Sequence, residues 1–291
     1  IAAVDKYNIF ARVSPEQKYR IIELLQKKYT VGFLGEGIND APSLKIAHVG
    51  IVVAEASDIA REAADIVLLH QSLRVVIDGI QEGREVFANT IKYIKATLAS
   101  NLGNFYAVAV STFFIDFLPM LPIQLLLVNL LSDFPMIAIA TDTVDKEELR
   151  TPRSYDIKDI ALFATIIGAV STIFDFLFFG IFFRLGPEIL QTNWFIGSIL
   201  TELVFIFSVR THGLFFRAKL ASTLLIALTG LAFVTTILLT LTAFGQRVFQ
   251  FTLPTLPHLT LILGLVALYF VTTECVKLLY YRFVNSKPIG A

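Results

Sequence analysis

Between residues 19 and 28, Ile21, Ile22, Leu24 and Leu25 recur at helical spacing, which predicts an amphipathic helix turning those side chains to a core. Residues 31–34 form an apolar run too short for a helix and are predicted as a buried strand. A short helix over 41–47, a strand over 49–53, a helix over 57–63 and a third strand over 66–69 follow. Strands alternating with helices argue for a parallel sheet with helices packed on it. From 73 to 117 no proline interrupts the chain, so one long helix is expected to link this polar part mechanically to what comes next.

What comes next is apolar on a different scale. Stretches of spanning length occur near 93–114, 122–140, 160–183, 194–209, 220–244 and 259–279, so six transmembrane helices are predicted. The expected division is a polar domain over 1–88 and a helical, polytopic membrane domain over 89–291, with the lipid bilayer as its partner. Connections carrying Lys146, Arg150, Arg153 and Lys158, then Arg210, Arg217 and Lys219, then Arg282 and Lys287, alternate with connections holding only Arg184 and Arg247. The positive-inside rule makes the first set cytoplasmic, and with it the N-terminal part and the C-terminus. Trp194 is expected as an anchor at the outer interface.

Composition agrees. A hydrophobic content of 55% and a mean hydropathy of +0.70 exceed what an ordinary soluble protein carries. Lys+Arg and Asp+Glu both total 24, so no global charge points to nucleic acid. The single cysteine, Cys275, excludes an internal disulfide and a thiolate cluster. The first residues lack the basic and apolar regions of a signal peptide, and the chain reads as the C-terminal part of something longer.

Two constellations carry candidate chemistry. In Val31-Gly-Phe-Leu-Gly-Glu-Gly-Ile-Asn-Asp-Ala-Pro42 a strand breaks into a Gly-X-Gly turn. Gly35 and Gly37 permit positive φ and close backbone approach, and Glu36 and Asp40 stand at the strand's C-terminal edge, where open α/β sheets bind ligands. Oxygen ligands there suit Mg²⁺, and turn amides suit phosphate. The second constellation lies in the spans. Counting 1.5 Å per residue from Lys95, Asn101 and Asn104 lie about 9 and 14 Å deep; from Pro122, Asn129 and Asp133 lie about 11 and 17 Å deep. Asp175 and Glu202 fall about 12 Å inside their outer ends. Pro135 frees carbonyls that can coordinate an ion in a locally unwound helix. Amide and carboxylate oxygens without His or Cys suit a hard cation. Glu274, beside Lys277, reads as an interface pair.

The first constellation has company. Phe10-Ala-Arg-Val-Ser-Pro-Glu-Gln-Lys18 precedes it and Asp58-Ile-Ala-Arg-Glu-Ala-Ala-Asp65-Ile-Val-Leu-Leu follows. These three pieces, in this order, resemble the C-terminal part of the phosphorylation domain of P-type cation-transporting ATPases, a domain of the haloacid-dehalogenase α/β type. The resemblance implies that Lys18 neutralises an aspartyl phosphate, that Asn39 and Asp40 complete the phosphate and metal site, that Gly35 and Gly37 line it, and that Glu36 stands where the family has an Asp ligating catalytic Mg²⁺. The extra methylene moves that carboxylate by about 1.5 Å, a misplacement that can cost roughly 100-fold in rate.

In the membrane half, Ser100-Asn-Leu-Gly-Asn104 and Val128-Asn-Leu-Leu-Ser-Asp133 resemble the family's fifth and sixth transmembrane helices, which carry much of its cation site. Phe87-Ala-Asn-Thr-Ile-Lys-Tyr-Ile-Lys95, Phe117-Leu-Pro-Met-Leu-Pro122, Ser171-Thr-Ile-Phe-Asp175, Gln191-Thr-Asn-Trp-Phe195 and Val209-Arg-Thr211 are similar to the bacterial magnesium-translocating branch. Residues 134–140 depart from it, which leaves a proton, Ca²⁺ or another cation open beside Mg²⁺. The resemblance implies an ATP-driven pump in a prokaryotic plasma membrane, with ATP bound mainly by domains that precede this segment. No Asp-Lys-Thr-Gly phosphoacceptor segment occurs here, so this chain alone should not turn over. The competing expectation is a non-catalytic, truncated or degenerate pump piece that binds a membrane partner.

Overall fold

The computed structural model describes residues 2–70, 72–152 and 154–285, so Arg153 and Lys287, two members of the basic pattern, lie outside the described residues. Two compact units are present, Ile1–Ile80 and Gln81–Ala291.

In the first unit, helix α1 (Ala2–Lys6) precedes α2 (Pro15–Gln26). The predicted start of α2 at 19 was late. Ser14 Oγ accepts from the Gln17 amide at 3.3 Å while Gln17 Oε1 accepts from the Ser14 amide at 2.9 Å. That reciprocal cap, with Pro15 in the first turn, begins the helix ahead of its apolar face. Strands β1 (Gly32–Gly35), β2 (Val49–Val53) and β3 (Ile66–Leu68) form a parallel sheet in the order β1-β2-β3, with Gly32 opposite Val49 and Ile51 opposite Ile66. Helices α3 (Ala41–Ile46) and α4 (Asp58–Ala63) connect the strands, and Leu44, Val52, Ala60 and Ala63 form the core. The buried β1 expected from its apolar residues is not found: Leu34 is 40% exposed, because β1 is an edge strand with a partner on one side only among the described residues.

The second unit is helical. Helix α5 (Leu73–Ser111) runs for 39 residues, and the boundary between the units falls within it. It is followed by α6 (Pro122–Ala138), α7 (Ile157–Phe182), α8 (Pro187–Val209), α9 (Thr223–Leu241), the short α10 (Ala243–Val248) and α11 (Leu256–Asn285). Five stretches among the described residues are long and apolar enough to cross a membrane: Pro122–Thr141, Ile157–Leu185, Pro187–Val209, Thr223–Leu241 and Leu256–Phe283. The stretch expected at 93–114 is not among them, since α5 carries Lys92 and Lys95 and ends at Ser111, leaving an uncharged helical remainder short of about 20 residues.

Helix α8 is the least apolar of the five and the most buried. Gln191, Thr192, Asn193, Ser198, Thr201, Glu202 and Ser208 all lie inside protein. A helix surrounded by other helices can hold such groups, whereas α9, the most open to the outside, is also the most apolar of the five. The expected unwinding at Pro135 is absent: α6 continues through it to Ala138 and passes into a 3-10 turn over Ile139–Thr141. Pro135 sits in the last turn, where the missing donor costs a single ladder bond. Trp194 is no interface anchor. It is 1% exposed, packed edge-on against Phe179 at 4.6 Å and bonded to Asp175.

Candidate functional site

At the end of β1 the chain turns through Glu36 and Gly37 into a 3-10 turn, Ile38–Asp40. Asp40 folds back over that turn. Its Oδ2 accepts from the amides of Glu36 and Gly37, each at 3.2 Å, and its Oδ1 accepts from Lys18 Nζ at 2.7 Å. Lys18 comes from α2, so the capped helix delivers an ammonium group to the strand's C-terminal edge. Burial works to raise the Asp40 carboxyl's pKa, but the Lys18 bond, the two amides and the Lys18 charge outweigh it and hold the group below the usual carboxylate range.

The glycines serve this turn by space and not by φ. Neither Gly35 nor Gly37 has positive φ; Gly37 is extended at −101°. A Cβ on Gly35 would lie 2.8 Å from Asp40 Cβ and 3.1 Å from the Phe33 ring, so a side chain there would push Asp40 off the turn. Glu36 and Asn39 are exposed, and their side chains make no hydrogen bond among the described residues. The donor set suits a hard cation, with Glu36 the carboxylate not yet engaged. No group of three or more His, Cys, Asp or Glu among the described residues is arranged to hold a metal.

The second site is interhelical. Asn104 Nδ2 of α5 donates to Glu202 Oε1 of α8 at 2.8 Å. Ser100 and Ser132 lie near the same carboxylate, the Ser132 hydroxyl donating to the Val128 carbonyl at 3.0 Å, and Asp133 of α6 is close enough for its charge to bear on it. Close helix approach permits this. A Cβ on Gly103 would lie 2.8 Å from Ser171 Cβ, and Thr172 Oγ1 donates to the Gly103 carbonyl at 3.3 Å, so α5 and α7 touch through glycine beside Asn104. No Lys or Arg is bonded or ion-paired to Asp133, Asp175 or Glu202 among the described residues. Asn101 and Asn129 are exposed and stand outside this hydrogen-bonded set. The buried stripe of α5 runs through Ala96, Ala99, Gly103 and Ala107, and Asn101, three residues from Asn104, falls to its far side.

Asp175 occupies its own place. Its Oδ1 accepts from Trp194 Nε1 at 2.7 Å, and its Oδ2 is buried without a hydrogen-bond partner. Ser100, Ser132 and Trp194 were missed as site residues from sequence. The available signal was position, Ser100 one helical turn before Asn104 and Ser132 next to Asp133. Glu274 is confirmed as a paired group: it accepts from Lys277 Nζ at 2.8 Å, from Ser208 Oγ at 2.6 Å and from the Phe215 amide at 2.8 Å.

Residues 117–279 match the family described as cation transporting ATPase, C-terminus. The chain is similar to the magnesium-transporting ATPase, P-type 1, of Escherichia coli K12, at 40% identity over 286 residues, 96% of this chain and 32% of that protein. The protein of the same name from Salmonella typhimurium LT2 is 39% identical over 289 residues, 97% of this chain and 32% of its own length. A calcium-transporting ATPase of Bacillus subtilis is 32% identical over 229 residues, 72% of this chain and 25% of its own. The chain thus spans about a third of the length of the magnesium-transporting relatives it matches.

Proposed function

Because the chain belongs to the P-type cation-transporting ATPases, as a C-terminal portion on their magnesium-transporting branch, we propose that it is the membrane and coupling part of an ATP-driven pump for a hard cation, Mg²⁺ first among the candidates. The observation that carries this reading is the buried carboxylate of Glu202, held by Asn104 inside a helical bundle, with Asp133, itself exposed, near it and no basic side chain paired with either among the described residues. Uncompensated carboxylates in a membrane interior are costly, and a transported cation supplies the missing charge. Asn101, Asn104, Asn129, Asp133, Asp175 and Glu202 are the proposed ligand set. The C-terminal part of α5 is proposed as the first of six spans.

The first unit is proposed as the end of a haloacid-dehalogenase-type phosphorylation domain extending to residue 88. There Lys18 sits ready to offset phosphoryl charge, the amides of Glu36 and Gly37 are held in place by Asp40, and Asn39 stands exposed at the same edge. Glu36, with Asp40 beside it, would hold catalytic Mg²⁺, which when bound supplies positive charge to phosphoryl oxygens. The phosphoacceptor and the ATP site are assigned to the part of the relatives' length this chain does not span. The protein is placed in a bacterial plasma membrane with this unit and the C-terminus on the cytoplasmic side, where ATP is.

The test is cation-stimulated ATP hydrolysis by the full-length protein in proteoliposomes, for wild type and Glu202→Gln. Stimulation by one cation that Glu202→Gln abolishes supports the pump; wild-type hydrolysis indifferent to every cation tried contradicts it.

A further inference from the structure

Asp142, just past the end of α6, is a meeting point for the helices that bear the proposed cation ligands. Its carboxylate has no exposed surface and forms a two-point contact with Arg210: Arg210 Nε donates to Oδ2 at 2.7 Å and Nη2 to Oδ1 at 3.1 Å. Oδ1 also accepts from the Ser222 amide at 2.8 Å, at the start of α9, and the Asp142 carbonyl accepts from Asn89 Nδ2 of α5 at 2.7 Å. Arg210, the C-cap of α8, uses two further donors on the Lys219 carbonyl at 2.6 Å and Thr143 Oγ1 at 3.0 Å. A planar guanidinium held at four of its five donors fixes orientation as well as distance.

The helices joined are those of the cation site: Asn89 shares α5 with Asn104, Asp142 follows α6 with Asp133, and Arg210 ends α8 with Glu202. At 1.5 Å per residue, Arg210 stands about 12 Å below Glu202 and Asp142 about 14 Å or slightly more below Asp133, so the contact lies at a similar depth under both carboxylates. Pro135, between Asp133 and Asp142, is where α6 lacks a ladder bond. The helix nonetheless continues through it to Ala138 and the 3-10 turn Ile139–Thr141, so a contact at Asp142 bears on the segment that carries Asp133.

We propose that Asp142 and Arg210 are positioning residues for cation binding, a clamp that sets the spacing of Asp133 and Glu202 without touching the cation. The proposal rests on the pump reading of these carboxylates. It separates this pair from Glu274 and Lys277, which tie α11 to the end of α8 without involving α6 or α5.

The experiment uses the full-length protein in proteoliposomes with MgATP saturating, and reads the half-activating free Mg²⁺ concentration and the maximal rate separately. Arg210→Lys keeps the charge and loses the fork; Arg210→Gln loses both; Asp142→Arg with Arg210→Asp restores the pair in reverse. The expected result is a half-activating Mg²⁺ raised about tenfold in Arg210→Gln, less in Arg210→Lys, with the maximal rate largely kept and the reversed pair partly restored. Half-activation within twofold of wild type in Arg210→Gln overturns the clamp, as does a fall in maximal rate with no shift in half-activation. If Arg210→Gln fails to fold, Arg210→Lys decides on the same criteria. Asp133→Asn separates the two readings: Mg²⁺ activation lost there but unchanged in the Arg210 variants sinks only the clamp, whereas activation unchanged in Asp133→Asn sinks the transport site.

Discussion

Asn104 on α5 and Glu202 on α8 lie 98 positions apart in sequence and share a 2.8 Å hydrogen bond inside the helical bundle. The amide can donate a hydrogen bond to the carboxylate but cannot cancel its charge, so the pair is suited to admit a cation instead of excluding one. Asn104→Leu is expected to weaken cation activation of the full-length pump at least tenfold, because Glu202 then loses a donor and keeps its charge. Asn104→Asp, which sets a second carboxylate against Glu202, should impair it differently, by raising the cation requirement for folding. Cation-dependent thermal unfolding distinguishes the two.

The Lys18–Asp40 contact gives a prediction about pH. Asp40 is held below its ordinary pKa in the folded protein. The stability this contributes is therefore fully present above about pH 4, the unfolded carboxylate's value, and is lost as pH falls through the lower folded one. Lys18→Met should bring the Asp40 titration upward toward its ordinary range. Unfolding of wild type and Lys18→Met, compared at stepwise pH below 5, should converge as acid removes the difference.

Gly35→Ala should damage the turn at Glu36 although no positive φ is at stake. The added methyl meets Asp40 Cβ at 2.8 Å, and relief requires moving either Asp40 or the strand end. A cost of about 1–3 kcal/mol is expected, with phosphoenzyme formation falling alongside stability. Gly37→Ala, whose nearest neighbour is Asp40 Oδ2 at 3.9 Å, should be mild in the same melting and phosphorylation assays.

Glu274 and Lys277 test the cost of a broken buried pair. Lys277 Nζ is 2.8 Å from Glu274 Oε2 and also donates to the carbonyls of Ser208 and Gly213 at 3.0 and 2.7 Å. Lys277→Met leaves Glu274 charged and is expected to cost about 3–5 kcal/mol, whereas the double change with Glu274→Gln should recover much of it. A double-mutant cycle on thermal unfolding measures the coupling.

The sheet was legible because β2 and β3 carry dense β-branched runs between turn signals, and α4 because Ser57 caps it, its Oγ accepting from the Ala60 amide at 3.3 Å. The polar contents of the bundle were legible as isolated Asn, Asp and Glu in apolar runs. Which of them meet was not. That depends on small residues such as Gly103 letting helices approach, and spacing on one helix cannot report the rotation of its neighbour. Trp194 was misread because an aromatic near a span's end fits an interface equally well, until a buried carboxylate on another helix accepts its N–H. Arg210 reads from sequence as loop charge and Asp142 carries no signal there, because both residues sit outside the expected spans in sequence and inside the protein in space.

The turn at Glu36 and the carboxylates at Asp133 and Glu202 are proposed to serve one pump. The most direct test is phosphoenzyme formation from ATP in the full-length protein containing this segment, with Glu36 and with Glu36→Asp, each with and without Asp133→Asn, across a panel of cations. The expected result is that one cation controls the phosphoenzyme level, that Glu36→Asp raises turnover, and that Asp133→Asn abolishes the cation's effect while the turn remains intact. Absence of a phosphoenzyme in both Glu36 and Glu36→Asp proteins, or a phosphoenzyme indifferent to Asp133→Asn, would contradict it.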